Sequence, residues 1–140
     1  MNLKNSPQRA QRAQRKKMGK DPPLGKVIGC AIEVHRTLGP GLLESTYEQC
    51  LARELHLNRI EFQLQVPLPV EYKDVRLDCG YRVDVLVAER LILELKAVEA
   101  IKAIHEAQLL TYMRLSNIST GLLINFNVKK LSDGIKRFKL

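Results

Sequence analysis

Residues Tyr81–Lys96, Tyr-Arg-Val-Asp-Val-Leu-Val-Ala-Glu-Arg-Leu-Ile-Leu-Glu-Leu-Lys, restrict the fold more than any other stretch of the chain. β-Branched and leucine residues alternate with Asp84, Glu94 and Lys96, the pattern of two short strands joined by a tight turn. Side chains two apart on a strand share a face, so Glu94 and Lys96 project together while Leu93 and Leu95 project the other way. Asp84 joins them only if it lies opposite Glu94 or Lys96. A two-residue turn at Glu89-Arg90 would pair it with Leu95 and turn it to the wrong face. A three-residue turn (Ala88–Arg90 or Glu89–Leu91), or a bulge, restores the convergence, so the spacing predicts an odd loop.

Two acids and a lysine on one face of an apolar hairpin are costly to bury without a partner. A divalent cation is one partner that offsets the cost, since hard cations prefer carboxylate oxygens. A solvated surface ion pair is the plainer alternative. Glu-x-Lys by itself carries little weight, because 15 acids and 12 lysines in 140 positions give roughly one acid-x-Lys match by chance. The chain indeed holds a second, Glu71-Tyr72-Lys73, which lies beside a turn and reads as solvated surface.

The length suits one domain with a single core. No apolar run approaches a membrane span and no secretory h-region is present. Cys30, Cys50 and Cys79, odd in number and without Cys-x-x-Cys spacing, read as small buried hydrophobes in a reducing, cytoplasmic compartment. The formal charge of +8 is concentrated at one end: seven of the 23 Lys/Arg and no acid lie in residues 1–20. That leaves 16 bases against 15 acids in residues 21–140, a nearly neutral remainder. Residues 1–23 therefore read as a basic, disordered tail and 24–140 as the domain. The tail suits nonspecific phosphate contact, a transit peptide, a solvated extension, or sequence upstream of a true start at Met18.

Within the domain, Val27, Ala31, Val34 and Leu38, with Ile28 and Ile32 beside them, recur at helical spacing until Gly39-Pro40-Gly41. A second helix over about Leu42–Leu57 is expected to bury Leu43, Tyr47, Cys50, Leu51 and Leu55. Glu44 in its first turn suits the helix dipole, or else projects toward the hairpin as a further ligand. Phe62–Tyr72 alternates as a strand that Pro67 and Pro69 confine to an edge or bulge. Lys73-Asp74 turns the chain back into Val75–Leu77. After the hairpin, a helix over about Val98–Leu115 is expected to pack through Ala103, Ala107 and Leu110, with Ile104, Gln108, Tyr112 and Leu115 adjacent. Thr120–Asn125 reads as a central strand reached by a crossover through that helix, and Ile135–Lys139 as a last short strand. The sum is a single α/β domain with a mixed β-sheet flanked by helices.

His35 and His56 read as helix-surface or helix-end residues, and His105 as a bystander three residues before Gln108. Gly39-Pro40-Gly41 lacks the Lys-Ser/Thr of a phosphate loop, and aromatic residues are too sparse for base stacking to be an obvious binding mode.

Gly41-Leu-Leu-Glu44-Ser-Thr-Tyr47 resembles the signature of the GxxExxY family, and the strand pair ending Glu94-Leu95-Lys96 resembles the core of the PD-(D/E)XK nuclease superfamily. The likeness runs from about Lys26 to Leu140 and takes in Val66-Pro-Leu-Pro-Val70 and Leu122-Leu-Ile-Asn-Phe126. Val83 precedes the Asp in place of Pro. The resemblance implies a restriction-endonuclease-like core and nucleic-acid phosphodiesters as substrate. It implies Glu44, Asp84 and Glu94 as ligands of Mg²⁺ (or Mn²⁺), with Lys96 orienting or activating the attacking water. Gln108 and Tyr112 resemble the Gln-x-x-x-Tyr element of RecB-like nucleases. The chemistry suits those parts, since a divalent ion neutralises charge that builds on a phosphodiester and supplies the nucleophile. The main rival is a catalytically silent module on the same fold that binds nucleic acid or a protein partner.

Overall fold

The five-stranded sheet of this protein takes its order from one crossover. In the computed structural model, which describes residues 22–140, the chain runs α1 (Leu24–Leu38), α2 (Glu44–Leu57), β1 (Phe62–Pro67), β2 (Val70–Tyr72), β3 (Val75–Leu77), β4 (Arg82–Val87) and β5 (Leu91–Lys96). It continues through α3 (Ala103–Ser116), β6 (Thr120–Asn125), a 3₁₀ turn (Leu131–Gly134) and β7 (Ile135–Lys139). The basic tail read from the sequence lies, but for Pro22 and Pro23, outside the described residues.

The sheet order is β1-β4-β5-β6-β7. β5 and β6 run parallel, joined through α3, and every other pairing in the sheet is antiparallel. All six residues of β6 are buried, as a strand covered on both faces requires. β1 is an edge strand, which is where its Pro67 is tolerated. The alternating run from Phe62 breaks at Leu68-Pro69, and β2 pairs instead with β3 as a separate two-stranded ribbon.

Two apolar layers sandwich the sheet. On one side Val27, Ala31 and Val34 of α1 and Tyr47, Leu51 and Leu55 of α2 pack on Val85, Leu93, Leu95, Leu122 and Ile124. On the other, Leu109, Tyr112 and Met113 of α3 pack on Val83, Ile92 and Leu123. This corrects the face expected for α3: Ala103, Ile104, Ala107 and Leu115 are exposed. Apolar residues ring that helix, so its sequence does not single out one stripe. The sheet does, through Gly121, where an added Cβ would come within 2.7 Å of Met113 Sδ.

Smaller corrections share the same origin. Ile32 and Leu38 of α1 are exposed. α2 begins at Glu44, so Leu43 is its cap residue and stands in solvent. Cys50 is half-buried and Cys79 exposed; only Cys30 is a core thiol. His35 is buried, because its Nε2 lies 2.7 Å from the Val128 carbonyl and its ring beside Phe126. α3 starts at Ala103 rather than near Val98, and His105 serves there as a cap, its Nδ1 accepting the Lys102 N–H at 2.9 Å.

Candidate functional site

The β4–β5 turn is the three-residue one, Ala88-Glu89-Arg90, with Ala88 and Glu89 in the left-handed region at φ 51° and 55°. Val87 therefore opposes Leu91, Leu86 opposes Ile92 and Val85 opposes Leu93. Continued by one step, this register sets Asp84 against Glu94, the convergence that an odd loop permits.

At that step the backbone ladder stops and the two carboxyls take its place. The Asp84 N–H donates to Glu94 Oε1 at 3.2 Å, and the Leu95 N–H donates to Asp84 Oδ2 at 2.9 Å. Pairing also lapses on the other flank of β4: Leu64 faces Val85 and Val66 faces Val83, but Gln65 and Asp84 between them do not pair. The sheet thus opens around Asp84 on both sides. Two backbone donors that a regular sheet would spend on carbonyls are given to carboxylates.

Electrostatically this is a tense arrangement. Glu94 is 5% exposed. Burial, reinforced by the Asp84 charge beside it, pushes its carboxyl up to about 8, against the opposing pull of the Asp84 N–H and of Lys96. Lys96 sits two residues on, half-buried, at the end of β5. On the α3 side, Gln108 Nε2 donates to Tyr112 Oη at 2.9 Å, and the Tyr112 ring lies 6.1 Å from that of Tyr81. Burial raises the Tyr112 hydroxyl, and the charges of Glu94 and Asp84 push the same way.

Glu44 stands apart. It is exposed at the start of α2, with Oε1 3.4 Å from the Ala97 N–H just past β5. Among the described residues no three His, Cys, Asp or Glu side chains lie close enough together to hold a metal ion. Glu44, Asp84 and Glu94, expected to gather round one ion, therefore do not form a closed cage. Asp84 and Glu94 meet, and Glu44 reaches the neighbouring backbone.

Two residues not singled out in the sequence come closer. Glu48, one helical turn beyond Glu44, accepts from Gln65 Nε2 at 2.5 Å, and that same amide lies 3.4 Å from Asp84 Oδ1. Burial raises the Glu48 carboxyl, with Asp84 contributing in the same direction. The i, i+4 spacing of Glu44 and Glu48 was the available signal. Gln65, one of several polar residues alternating along β1, gave none.

The segment after Lys96 is held by Asn125, whose side chain accepts from the Val98 N–H at 3.1 Å and donates to the Val98 carbonyl at 2.9 Å. The Phe126 N–H closes on the Lys96 carbonyl at 2.9 Å.

The family model of the PD-(D/E)XK nuclease superfamily matches residues 23–138. The chain belongs to that superfamily. Its mixed sheet flanked by helices is consistent with a restriction-endonuclease-like fold. Comparison with curated proteins and with solved structures returns no match. Among the described residues no helix is long and apolar enough to cross a membrane.

In this PD-(D/E)XK domain, Gly41 and Tyr47 have structural tasks. Gly41 takes φ 99° in the α1–α2 loop, open to glycine and strained for most other residues. Tyr47 donates to the Gly39 carbonyl at 2.6 Å, accepts from the Leu42 N–H at 3.2 Å and stacks on Phe126 at 4.4 Å. Together they fix where α2 begins, and with it the placement of Glu44 and Glu48.

Proposed function

We propose that this PD-(D/E)XK domain is a metal-dependent nuclease of the GxxExxY type, hydrolysing nucleic-acid phosphodiesters with Mg²⁺ or Mn²⁺. The observation that carries the reading is the pairing of buried Glu94 with half-buried Asp84 at the opened sheet, two residues from Lys96. A folded protein gains nothing from two adjoining carboxyls in an apolar layer unless something of opposite charge joins them.

The donor set fits a divalent ion. Mg²⁺ is commonly held by one or two carboxylates, with waters and substrate phosphate filling the remaining positions. Asp84 and Glu94 would hold it, and Glu48, joined to Asp84 through the Gln65 amide, would support its outer waters. When bound, the ion would neutralise phosphate charge and make a bound water more acidic than free water. Lys96 sets its ammonium beside the scissile phosphate and stabilises the charge that develops there. Tyr112, steadied by Gln108, offers its hydroxyl to a phosphate oxygen or to the Lys96 amine.

A second reading, a silent nucleic-acid- or protein-binding module, draws on the near-neutral balance of residues 21–140. A domain gripping phosphates unaided would carry more positive charge. Incubation of plasmid and oligonucleotide substrates with Mg²⁺ or Mn²⁺ separates the two. The nuclease reading expects cleavage that Asp84→Ala, Glu94→Ala and Lys96→Ala each abolish while the far-UV spectrum is kept. Absence of cleavage with either ion, or variants that cut like the parent, ends it.

A further inference from the structure

Gln65 has a backbone conformation that its strand does not require. β1 is extended on both sides of it, yet its own φ is 52°, in the left-handed region that a residue with a side chain seldom adopts. The pairing of β1 with β4 is the same before and after it, so no residue has been inserted. The distortion serves direction instead. It sends the Gln65 amide to Glu48 Oε1 and toward Asp84 Oδ1, and leaves the Gln65 carbonyl 3.4 Å from an Arg82 nitrogen.

Asp84 is consequently held at both oxygens. Oδ1 faces the Gln65 amide at 3.4 Å, and Oδ2 accepts the Leu95 N–H at 2.9 Å. A carboxylate with one such contact still turns about its last bond; one held at both ends does not. Glu48 supplies the anchor, since its charged oxygen takes the shorter of the two bonds from the same amide.

We propose that Gln65, anchored by Glu48, is a positioning residue that fixes the orientation of the Asp84 carboxylate beside Glu94. It acts on the reaction only through Asp84. Its catalytic consequence rests on the nuclease reading, while its effect on Asp84 does not.

The Leu95 amide is the reporter, because its hydrogen bond ends on the Asp84 carboxylate. In the full-length, ¹⁵N-labelled protein, hydrogen exchange is followed at Leu95 and at Leu93 and Val87 of the same hairpin. Gln65→Gly keeps the left-handed backbone and removes the amide; Gln65→Met keeps the length and removes the donors. In both, Leu95 exchange should speed up tenfold or more relative to the reference amides. The kcat for Mg²⁺-dependent cleavage should fall at least tenfold with KM within twofold. Glu48→Gln leaves Gln65 in place and weakens its anchor, so it should move Leu95 the same way by less.

Folded Gln65 variants with parental Leu95 exchange overturn the proposal, whether or not cleavage falls. If the Gln65 variants do not fold, an unchanged Leu95 in Glu48→Gln overturns it equally. A Leu95 response in a protein that cleaves nothing supports the positioning role and refutes the nuclease reading.

Discussion

Two acid-x-lysine triplets lie on two hairpins of this chain, and their surroundings differ at every level. Glu71-Tyr72-Lys73 leads into a two-residue turn, Lys73-Asp74, with both residues in the left-handed region. The ribbon it belongs to stands clear of the main sheet, and all its residues but Val70 are exposed. Glu71 opposes Arg76 across the ribbon at 4.0 Å, with its side chain 74% exposed, and Lys73 lies over the Tyr72 ring. Glu94-Leu95-Lys96 ends the strand at the centre of the five-stranded sheet, where Glu94 is sealed in beside Asp84. As a string of letters the triplet is chemically inert. It acquires a perturbed carboxyl only when the sheet buries it and a three-residue turn brings a second acid alongside.

The sharpest way to break this contrast is to make the turns alike. Replacing Glu89-Arg90 by Asn-Gly, with Ala88 kept as a strand residue, favours a two-residue turn that pairs Ala88 with Leu91 and Asp84 with Leu95 and drives Leu91, Leu93 and Leu95 to the face away from the core. Each buried leucine contributes about 1.5–3 kcal/mol, so the three together rival the stability of a typical domain. The variant should show no cooperative thermal transition by circular dichroism, whereas one glycine inserted between Lys73 and Asp74 should leave the transition nearly where it was.

Next in size is pH. Because Glu94 titrates near 8 in the folded protein and near its ordinary value when unfolded, the native state holds the extra proton between those limits. Stability should be full below about pH 4.5 as regards this group and should fall as pH rises toward about 8, by a few kcal/mol. Urea unfolding at pH 5 and pH 8 measures it, and Glu94→Gln should flatten the difference while Glu71→Gln leaves it intact. On the proposed metal-dependent reading, millimolar Mg²⁺ should restore stability at pH 8 and do little at pH 5, since the ion and the proton would compete for one carboxyl.

Smaller effects probe the supports. Tyr47→Phe removes the bonds to Gly39 and Leu42 but keeps the stacking on Phe126, and should cost about 1–2 kcal/mol in urea. Smallest of all, Glu71→Gln or Arg76→Gln should change stability by less than about 0.5 kcal/mol, as an exposed pair does. A larger loss would mean that the ribbon is not the solvated element described.

Much of the fold was legible because it follows from period and punctuation. Gly39-Pro40-Gly41 ended α1, Pro67 marked an edge strand, and the unbroken apolar run of β6 marked a central one. The odd loop followed from parity once Asp84 was required to share a face with Glu94. His35 lies in the last turn of α1 as read, but its burial was not foreseen, because nothing near it in sequence announces the Val128 carbonyl, 93 residues away, to which it is bonded. The packing face of α3 was misread because apolar residues lie all round that helix, and only Gly121 on β6 favours Met113 and Leu109 as the contact. Of the candidate site, Asp84, Glu94 and Lys96 were named from spacing, and Gln108 and Tyr112 from the resemblance to RecB-like nucleases; Glu48 and Gln65 were not named.

The sequence by itself determined which residues share a strand face, and that the turn must be odd or bulged if Asp84 is to join Glu94, because both follow from backbone geometry. Tertiary structure decided which carboxyls meet. Distances between elements depend on how α2 seats on the sheet through Tyr47, Leu51 and Leu55. That seating sets Glu48 against Gln65 and leaves Glu44 at the Ala97 amide.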